Sequence, residues 1–194
     1  MARVTDTNKI EKIKEAATEM IVTTGFIGAS ISLIAKKAGV SEGYLYRYYS
    51  SKNDLVNDLF AARVSATNEK LMNLLQTKES LRDVVEAYVQ HIYNSYSDNP
   101  NQIKFLFMLI HDFTFTIPDY IVESMKEVCL RIKNKGCEEG LFSEKITDED
   151  IYISIVNLPM QYVNSRLRGY FGRTELHSDE IGHIVNRCLN SLKY

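Results

Sequence analysis

Between Ile34 and Leu55 the chain reads IAKKAGVSEGYLYRYYSSKNDL. Tyr44, Tyr46, Tyr48 and Tyr49 crowd around Arg47, with Lys36 and Lys37 before them and Lys52 after. Phenol hydroxyls donate to phosphate oxygens, and a guanidinium can place two hydrogen bonds on one guanine edge. Spacing decides which of these groups act together. Tyr44, Arg47 and Tyr48 lie three and four residues apart, so a helix puts them on one outer face. Leu45 and Tyr49, also four apart, take the inward face. Lys52 falls at the start of the next helix, where its charge opposes the helix dipole at a cost of about 0.3–1 kcal/mol. A phosphate held there by the lysine and the free amides would remove that conflict. Glu42 repels phosphate; it either accepts from a cytosine amino group or simply favours a helix N-terminus. Lys36 and Lys37 read as a solvated face.

The elements that must hold this face are short helices. Ser30 can cap one that carries Ile31, Ile34 and Ala35 inward and stops at Gly39. Gly39 can take the left-handed conformation of a sharp turn. Ala35 is small enough for a close crossing, Val40 plugs the corner, and Ser41 caps the next helix. Two helices joined through AGVS have helix-turn-helix spacing. Upstream, Ile10, Ile13, Ala17, Met20 and Ile21 trace one face of a first helix ending near Gly25. Downstream, a long helix from Ser51 or Lys52 to about Gln76 turns Leu55, Leu59, Phe60 and Leu71 inward.

The remaining chain is patterned the same way. Leu81, Val84, Val85, Tyr88 and Ile92 form a stripe. Residues 102–115 are apolar nearly all round, which predicts a buried helix. Pro118 opens a helix towards Gly136 or Gly140. The TDED run at Thr147 starts another that reaches about Phe171, and Pro159 within it should bend it by removing one backbone hydrogen bond. Ile181, Ile184, Val185, Cys188, Leu189 and Leu192 mark a final helix. The expected fold is all-α, with about nine helices and no strand. Its expected domains are a helix-turn-helix unit over residues 1–52 and a helical bundle over 53–194.

Composition narrows the function classes. Of 194 residues 45% are hydrophobic, which is enough for a real core and argues against disorder. The net charge of -2 excludes a uniformly basic nucleic-acid coat but not a local patch. Between Ser30 and Lys52 the four bases Lys36, Lys37, Arg47 and Lys52 meet a single acid, Glu42. Three cysteines without a CxxC spacing argue against a disulfide framework. The first twenty residues lack a signal-peptide core, and FLFMLI is far too short to span a bilayer, so a soluble cytoplasmic protein is expected. No GxSxG, GxGxxG, P-loop or HExxH motif occurs, and His91, His111, His177 and His183 form no i, i+4 pair. His111 and Asp112 make an isolated HD pair that reads better as a satisfied histidine than as a metal site. Neither a catalytic centre, a cofactor nor a metal is expected.

The linked pattern of a helix ending in GF, then IAKKAGVS, GYLYRYY and SKNDL resembles the TetR family of bacterial transcriptional regulators, over roughly residues 9–60. The resemblance implies DNA contacts by Ser30 and Ser32 at the start of the second helix. It implies base-facing positions for Glu42, Gly43 and Tyr44, and backbone-contacting ones for Tyr46, Arg47, Tyr48 and Lys52. Tyr49 stands where the family commonly has phenylalanine, in keeping with an inward role. For the C-terminal two-thirds the resemblance implies only a helical dimerisation and effector-binding domain, with the last two helices pairing with their symmetry mates.

The expected function is therefore a ligand-responsive transcriptional regulator, a repressor released from a palindromic operator by a small apolar or aromatic effector. A helical enzyme or an adaptor without DNA binding is the alternative. Inward spacing and mixed chemistry nominate Tyr88, Ile92, Phe105, Met108, His111, Met125 and Tyr162 as effector-lining residues. The expected partners are double-stranded operator DNA, an unidentified small molecule and a second copy of the chain, with no membrane.

Overall fold

The computed structural model describes residues 2–175 and 177–193. Among them every regular element is helical. The helices are α1 (Ala2–Gly28), α2 (Ile31–Ala38), α3 (Glu42–Leu45), α4 (Lys52–Thr77), α5 (Leu81–Asp98), α6 (Pro100–Ile110) and α7 (Asp119–Glu138). Then come α8 (Asp148–Ile151), a π-helical turn (Tyr152–Asn157), α9 (Leu158–Arg168) and α10 (Glu180–Asn190). Because α8, the π turn and α9 run on without a break, the described chain has nine helices. None of them is long and apolar enough to cross a membrane.

Packing divides the chain into two compact units, Met1–Arg63 with Asn101–Pro118, and Val64–Pro100 with Asp119–Tyr194. The line does not follow chain order at residue 52: α4 contributes residues to both units, and most of α6 packs with the N-terminal helices.

In the first unit α1 buries Ile13, Ala17 and Ile21, and α2 buries Ile31, Ile34 and Ala35 against it. The regular winding of the first helix stops at Gly25, as the sequence predicts. That glycine, at φ 77° and ψ 171°, kinks the helix, which resumes to Gly28. A side chain there would be strained, so glycine is what lets the chain turn without ending. The segment expected to be one buried helix over 102–115 is split. Helix α6 ends at Ile110 and buries only Ile103, Phe105 and Leu109. Beyond it Phe113 is fully exposed, while Phe115 returns to the core. An all-apolar run could not show that the backbone would break at His111 and send alternate phenylalanines in and out.

The second unit is a bundle in which α5 packs on α10, α9 and α7. Leu81, Val84, Val85, Tyr88, Val89, Ile92 and Tyr93 of α5 are all buried. Thr147 opens α8 through a reciprocal capping box with Asp150. At Pro159, where the sequence predicts a bend, the structure shows a local change of winding. The π turn precedes it, and the Leu158 N–H bonds to the Ile153 carbonyl, five residues back. The helix then ends at Gly169, in the left-handed conformation, short of the expected Phe171.

The cysteines are free, with Cys129 and Cys188 buried. Burial pushes the Cys129 thiol up to about 11 and the Cys188 thiol up to about 12. Both groups hold their protons more tightly folded than unfolded. Their contribution to stability is complete below the unfolded thiol's pKa of about 8.5 and is lost as pH rises through the folded values. Urea titrations should therefore give a steady unfolding free energy from about pH 7 to about 8.5 and a declining one above it. Alkylation near pH 8 should spare Cys129 and Cys188 until the protein unfolds.

Candidate nucleic-acid interface

Each cap that the helix-turn-helix needs is present. Ser30 accepts from the Leu33 N–H at 3.3 Å, and Ser41 accepts from the Tyr44 N–H at 3.1 Å. Such caps are worth about 1 kcal/mol each. Between them Gly39 adopts φ 69° and ψ 31°. Its N–H bonds to the Lys36 carbonyl, and the Val40 N–H reaches the Ala35 carbonyl at 3.0 Å. This pair of bonds is a Schellman closure, and it sets the angle at which α3 leaves α2. Beyond Leu45 the chain stays tightly wound, with Tyr48 and Tyr49 both bonding back to the Leu45 carbonyl. The recognition segment is thus about two helical turns from Glu42 to Tyr49.

Its two faces separate as the spacing predicts. Leu45 is fully buried and Tyr49 nearly so. The Tyr49 hydroxyl donates to Asp58 Oδ2 at 2.9 Å, and burial together with that carboxylate raises its pKa strongly. Tyr49 is therefore a core phenol with its polar end satisfied. On the outer side Tyr46, Arg47 and Tyr48 are exposed and Tyr44 is half-buried. The hydroxyls of Tyr44 and Tyr48 stand 3.4 Å apart. Ser30, Ser32, Glu42 and Gly43 are also exposed. Of the expected DNA-facing residues other than Lys52, all are thus at least partly accessible, and Tyr44, Arg47 and Tyr48 are in contact with one another through the Tyr44 ring.

Lys52 is placed otherwise. Its Nζ donates to the Phe26 carbonyl at 2.7 Å and lies 4.4 Å from the Phe26 ring centroid. The ammonium ties the start of α4 to the end of α1 instead of waiting for a phosphate. The dipole conflict at this helix start is met by other groups: Ser51 Oγ accepts the Asp54 N–H, and Asp54 supplies an acidic first turn. Lys37 is likewise paired, with Glu19 at 2.8 Å.

Sequence reasoning missed Lys9. Its Nζ sits 5.1 Å from the Tyr44 ring centroid, and Arg47 approaches the same ring at 5.8 Å. Two cations therefore flank one phenol at the recognition face. No local signal could have found Lys9, because thirty-five residues separate it from Tyr44.

The residues nominated for an effector divide between the two units. In the second, Tyr88 and Ile92 are buried, and Met125 and Tyr162 are half-buried. The Tyr88 hydroxyl donates to the Val156 carbonyl in the π turn at 3.4 Å. In the first, Phe105 is fully buried and Met108 half-buried. His111 is not inward at all. It is exposed, its ring stacks on Phe107, and its Nδ1 lies 2.7 Å from the Phe107 carbonyl, which requires the proton on that nitrogen. It closes the end of α6.

A capped helix-turn-helix with a cationic, phenol-rich outer face is a DNA-binding unit, and comparison with known proteins agrees. Residues 13–59 match the family model for bacterial regulatory proteins of the tetR family. Over 189 residues the chain is 27% identical to YvdT of Bacillus subtilis, described as an uncharacterized HTH-type transcriptional regulator, covering 94% of this chain and 96% of that one. The Bacillus subtilis fatty acid metabolism regulator protein is 26% identical over 93 residues, 48% of either chain. Among solved structures, a TetR family regulator from Marinobacter aquaeolei VT8 has a TM-score of 0.80 at 18% identity, covering 98% of both chains. Bacillus subtilis FadR, in complex with stearoyl-CoA, has a TM-score of 0.75 at 16% identity over 93% of this chain and 98% of that one. Residues 13–59 are thus a DNA-binding region of the tetR type, and the chain as a whole is similar to DNA-binding transcriptional regulators.

The geometry separates contact from scaffold. Arg47→Ala should cost roughly 1–3 kcal/mol of DNA affinity where the guanidinium reads a base. Lys9→Ala should lower the salt slope of binding by about one unit. Lys52→Met should instead lower the melting temperature, by the loss of about 1 kcal/mol, and leave the salt slope unchanged. Fluorescence anisotropy across a salt series, paired with thermal unfolding, checks all three.

Proposed function

We propose that this chain is a repressor that binds a palindromic operator as a two-fold dimer and is released by a small apolar or aromatic effector. The observation that carries the reading is the division of the segment from Glu42 to Tyr49 into two faces. Tyr44, Arg47 and Tyr48 stand outward while Leu45 and Tyr49 are spent on the core. A recognition segment this short touches few base pairs, so useful affinity needs two copies on successive half-sites. The chain would act in the cytoplasm, where its operator lies.

The expected interface needs one revision. Ile181, Ile184, Val185, Cys188, Leu189 and Leu192 are all buried within the protomer's own second unit. That stripe is unavailable to a partner. The last two helices would have to pair through their outer faces, which on α10 include Gly182, His183, Asn186 and Arg187. A Cβ at Gly182 meets no neighbour within 4 Å, so two such faces could approach closely there.

Effector release follows from α4, which divides at Arg63 and Val64 between the two units. An effector taken by the second unit that favours a different disposition of α4 would shift the recognition helices out of step with successive major grooves. Reciprocity then requires operator DNA to weaken effector binding by the same factor.

Selection of bound duplexes from a random pool should return an inverted repeat, and its affinity should fall steeply with salt. Recovery of no sequence, or binding without salt dependence, would refute the reading. For the dimer, Val185→Asp should unfold the second unit because it buries an unpaired charge. Gly182→Arg should leave the protomer folded, even slightly stabilised by about 1 kcal/mol of helix propensity, yet shift sedimentation from dimer to monomer. A folded dimer in Gly182→Arg places the interface elsewhere.

A further inference from the structure

The recognition segment is held at its far end by two carboxylates of α4. The Tyr49 hydroxyl donates to Asp58 Oδ2 at 2.9 Å, and Tyr49 is 8% exposed. The next residue is held as well. Asp54 Oδ2 accepts from the Ser50 N–H at 2.8 Å and from the Ser50 hydroxyl at 3.0 Å. Asp54 and Asp58 lie four residues apart, so they stand one above the other on one face of α4. Like charges at that spacing oppose each other. Here each is partnered, since the Lys14 ammonium of α1 also lies 3.4 Å from Asp58 Oδ2. That one oxygen therefore joins α1, the exit of the recognition segment and α4.

The two inward anchors of the segment differ in kind. Leu45 is fully buried and held by apolar contact, which is non-directional and lets a helix roll or slide. The Tyr49 bond has a preferred length and angle. It therefore resists the rotation that Leu45 permits. Burial and the Asp58 bond push the Tyr49 phenol well above its usual value, so the donor keeps its proton. Tyr49 directly follows Arg47 and Tyr48 in the same winding, so a roll of the segment displaces both. A guanidinium reading a base edge tolerates only about 0.5 Å of misplacement. A contact to phosphate is more forgiving, because it rests on charge and carries no sequence information.

We infer that the Tyr49–Asp58 hydrogen bond sets DNA sequence discrimination, by fixing the rotation of the recognition segment so that Arg47 and Tyr48 meet the bases in register. Tyr49 and Asp58 are positioning residues; they act through their neighbours and touch no base themselves. The inference rests on the operator-binding reading above. It adds the pair that decides specificity from behind the contact surface.

The test uses the full-length protein, the operator returned by selection from a random pool, and a scrambled duplex of equal length. Fluorescence anisotropy, well below the melting temperature, reads the ratio of the two affinities and the salt slope of each. Tyr49→Phe keeps the ring and deletes the bond. It should lower the ratio about tenfold and leave the salt slope unchanged. Asp58→Ala should do the same, and the double variant should lose no more than either alone. Asp58→Asn keeps an acceptor for the phenol and should keep the ratio. A bond with a purely structural role would lower the melting temperature and leave the ratio where it was, and that result overturns the proposal. So would additive losses in the double variant. A loss in Asp58→Asn that Tyr49→Phe does not share would trace the effect to Lys14 and overturn it too. A wild type that prefers no duplex defeats the operator reading and this inference together. A wild-type preference that survives in both Tyr49→Phe and Asp58→Ala defeats the inference alone.

Discussion

The first unit is held by an aromatic wedge. The Phe115 ring sits 5.3 Å from both Phe26 and Phe60, edge-on to each. Phe26 lies just beyond the kink in α1, and Phe60 is two turns into α4. On the same Phe26 the Lys52 ammonium lies over the ring and bonds to the backbone carbonyl. Buried aromatic pairs add about 0.5–1.5 kcal/mol beyond their area. The helix-turn-helix depends on this cluster because α2 and α3 are too short to be stable alone. Their support comes from α1, and α1 is fixed to α4 through Phe26. Residues far along the chain therefore take part in shaping the surface that meets DNA. Asp112 belongs to this neighbourhood too. Its bonds to Thr114, with Lys52 nearby, hold its carboxyl below the usual range.

The recognition segment shows how a handful of residues can serve both scaffold and function. Its phenols have three distinct settings. Tyr49 is buried and satisfied by Asp58. Tyr44 is half-buried among Lys9, Arg47 and Tyr48. Tyr46 and Tyr48 face solvent. A phenol can fill each setting because one end packs and the other bonds. The cations divide similarly. Lys37 and Lys52 are engaged in holding helices together, while Lys9 and Arg47 flank the Tyr44 ring. Net charge near zero for the whole protein is compatible with this, because the contact surface is small.

The second unit handles its polar groups in two ways. Where a bond can be made inside the core, it is made. The winding change before Pro159 accommodates a residue without an N–H, and the Tyr88 hydroxyl reaches a carbonyl of that same turn. At the start of α5 the Leu81 N–H is met by the Glu139 carboxylate at 2.9 Å. Against that background, the Tyr93 hydroxyl and the Arg166 Nε–H have no hydrogen-bond partner among the described residues.

Much of this was legible from the residues alone, and for a common reason. Ser30, Ser41, Gly39 and Thr147 act on backbone groups within three or four positions, so their roles are written locally. Stripes such as Leu81 to Ile92 state that a face is buried. They do not state against what. The α10 stripe was compatible with a partner chain and proves to be consumed inside the protomer. His111 had inward spacing, but the helix ends beneath it and its ring closes that end. Lys52 could have met a phosphate, and its nearest acceptor is instead a carbonyl twenty-six residues away. Residues 101–118 join the N-terminal helices although they are distant in sequence. The sequence by itself determined the helices, their caps and the two faces of the recognition turn, because those depend on short-range bonding and periodicity. Only the tertiary structure decided which buried face meets which, and hence which charges remain for DNA, because hydrophobic burial is non-directional and takes whichever partner the whole chain brings within reach.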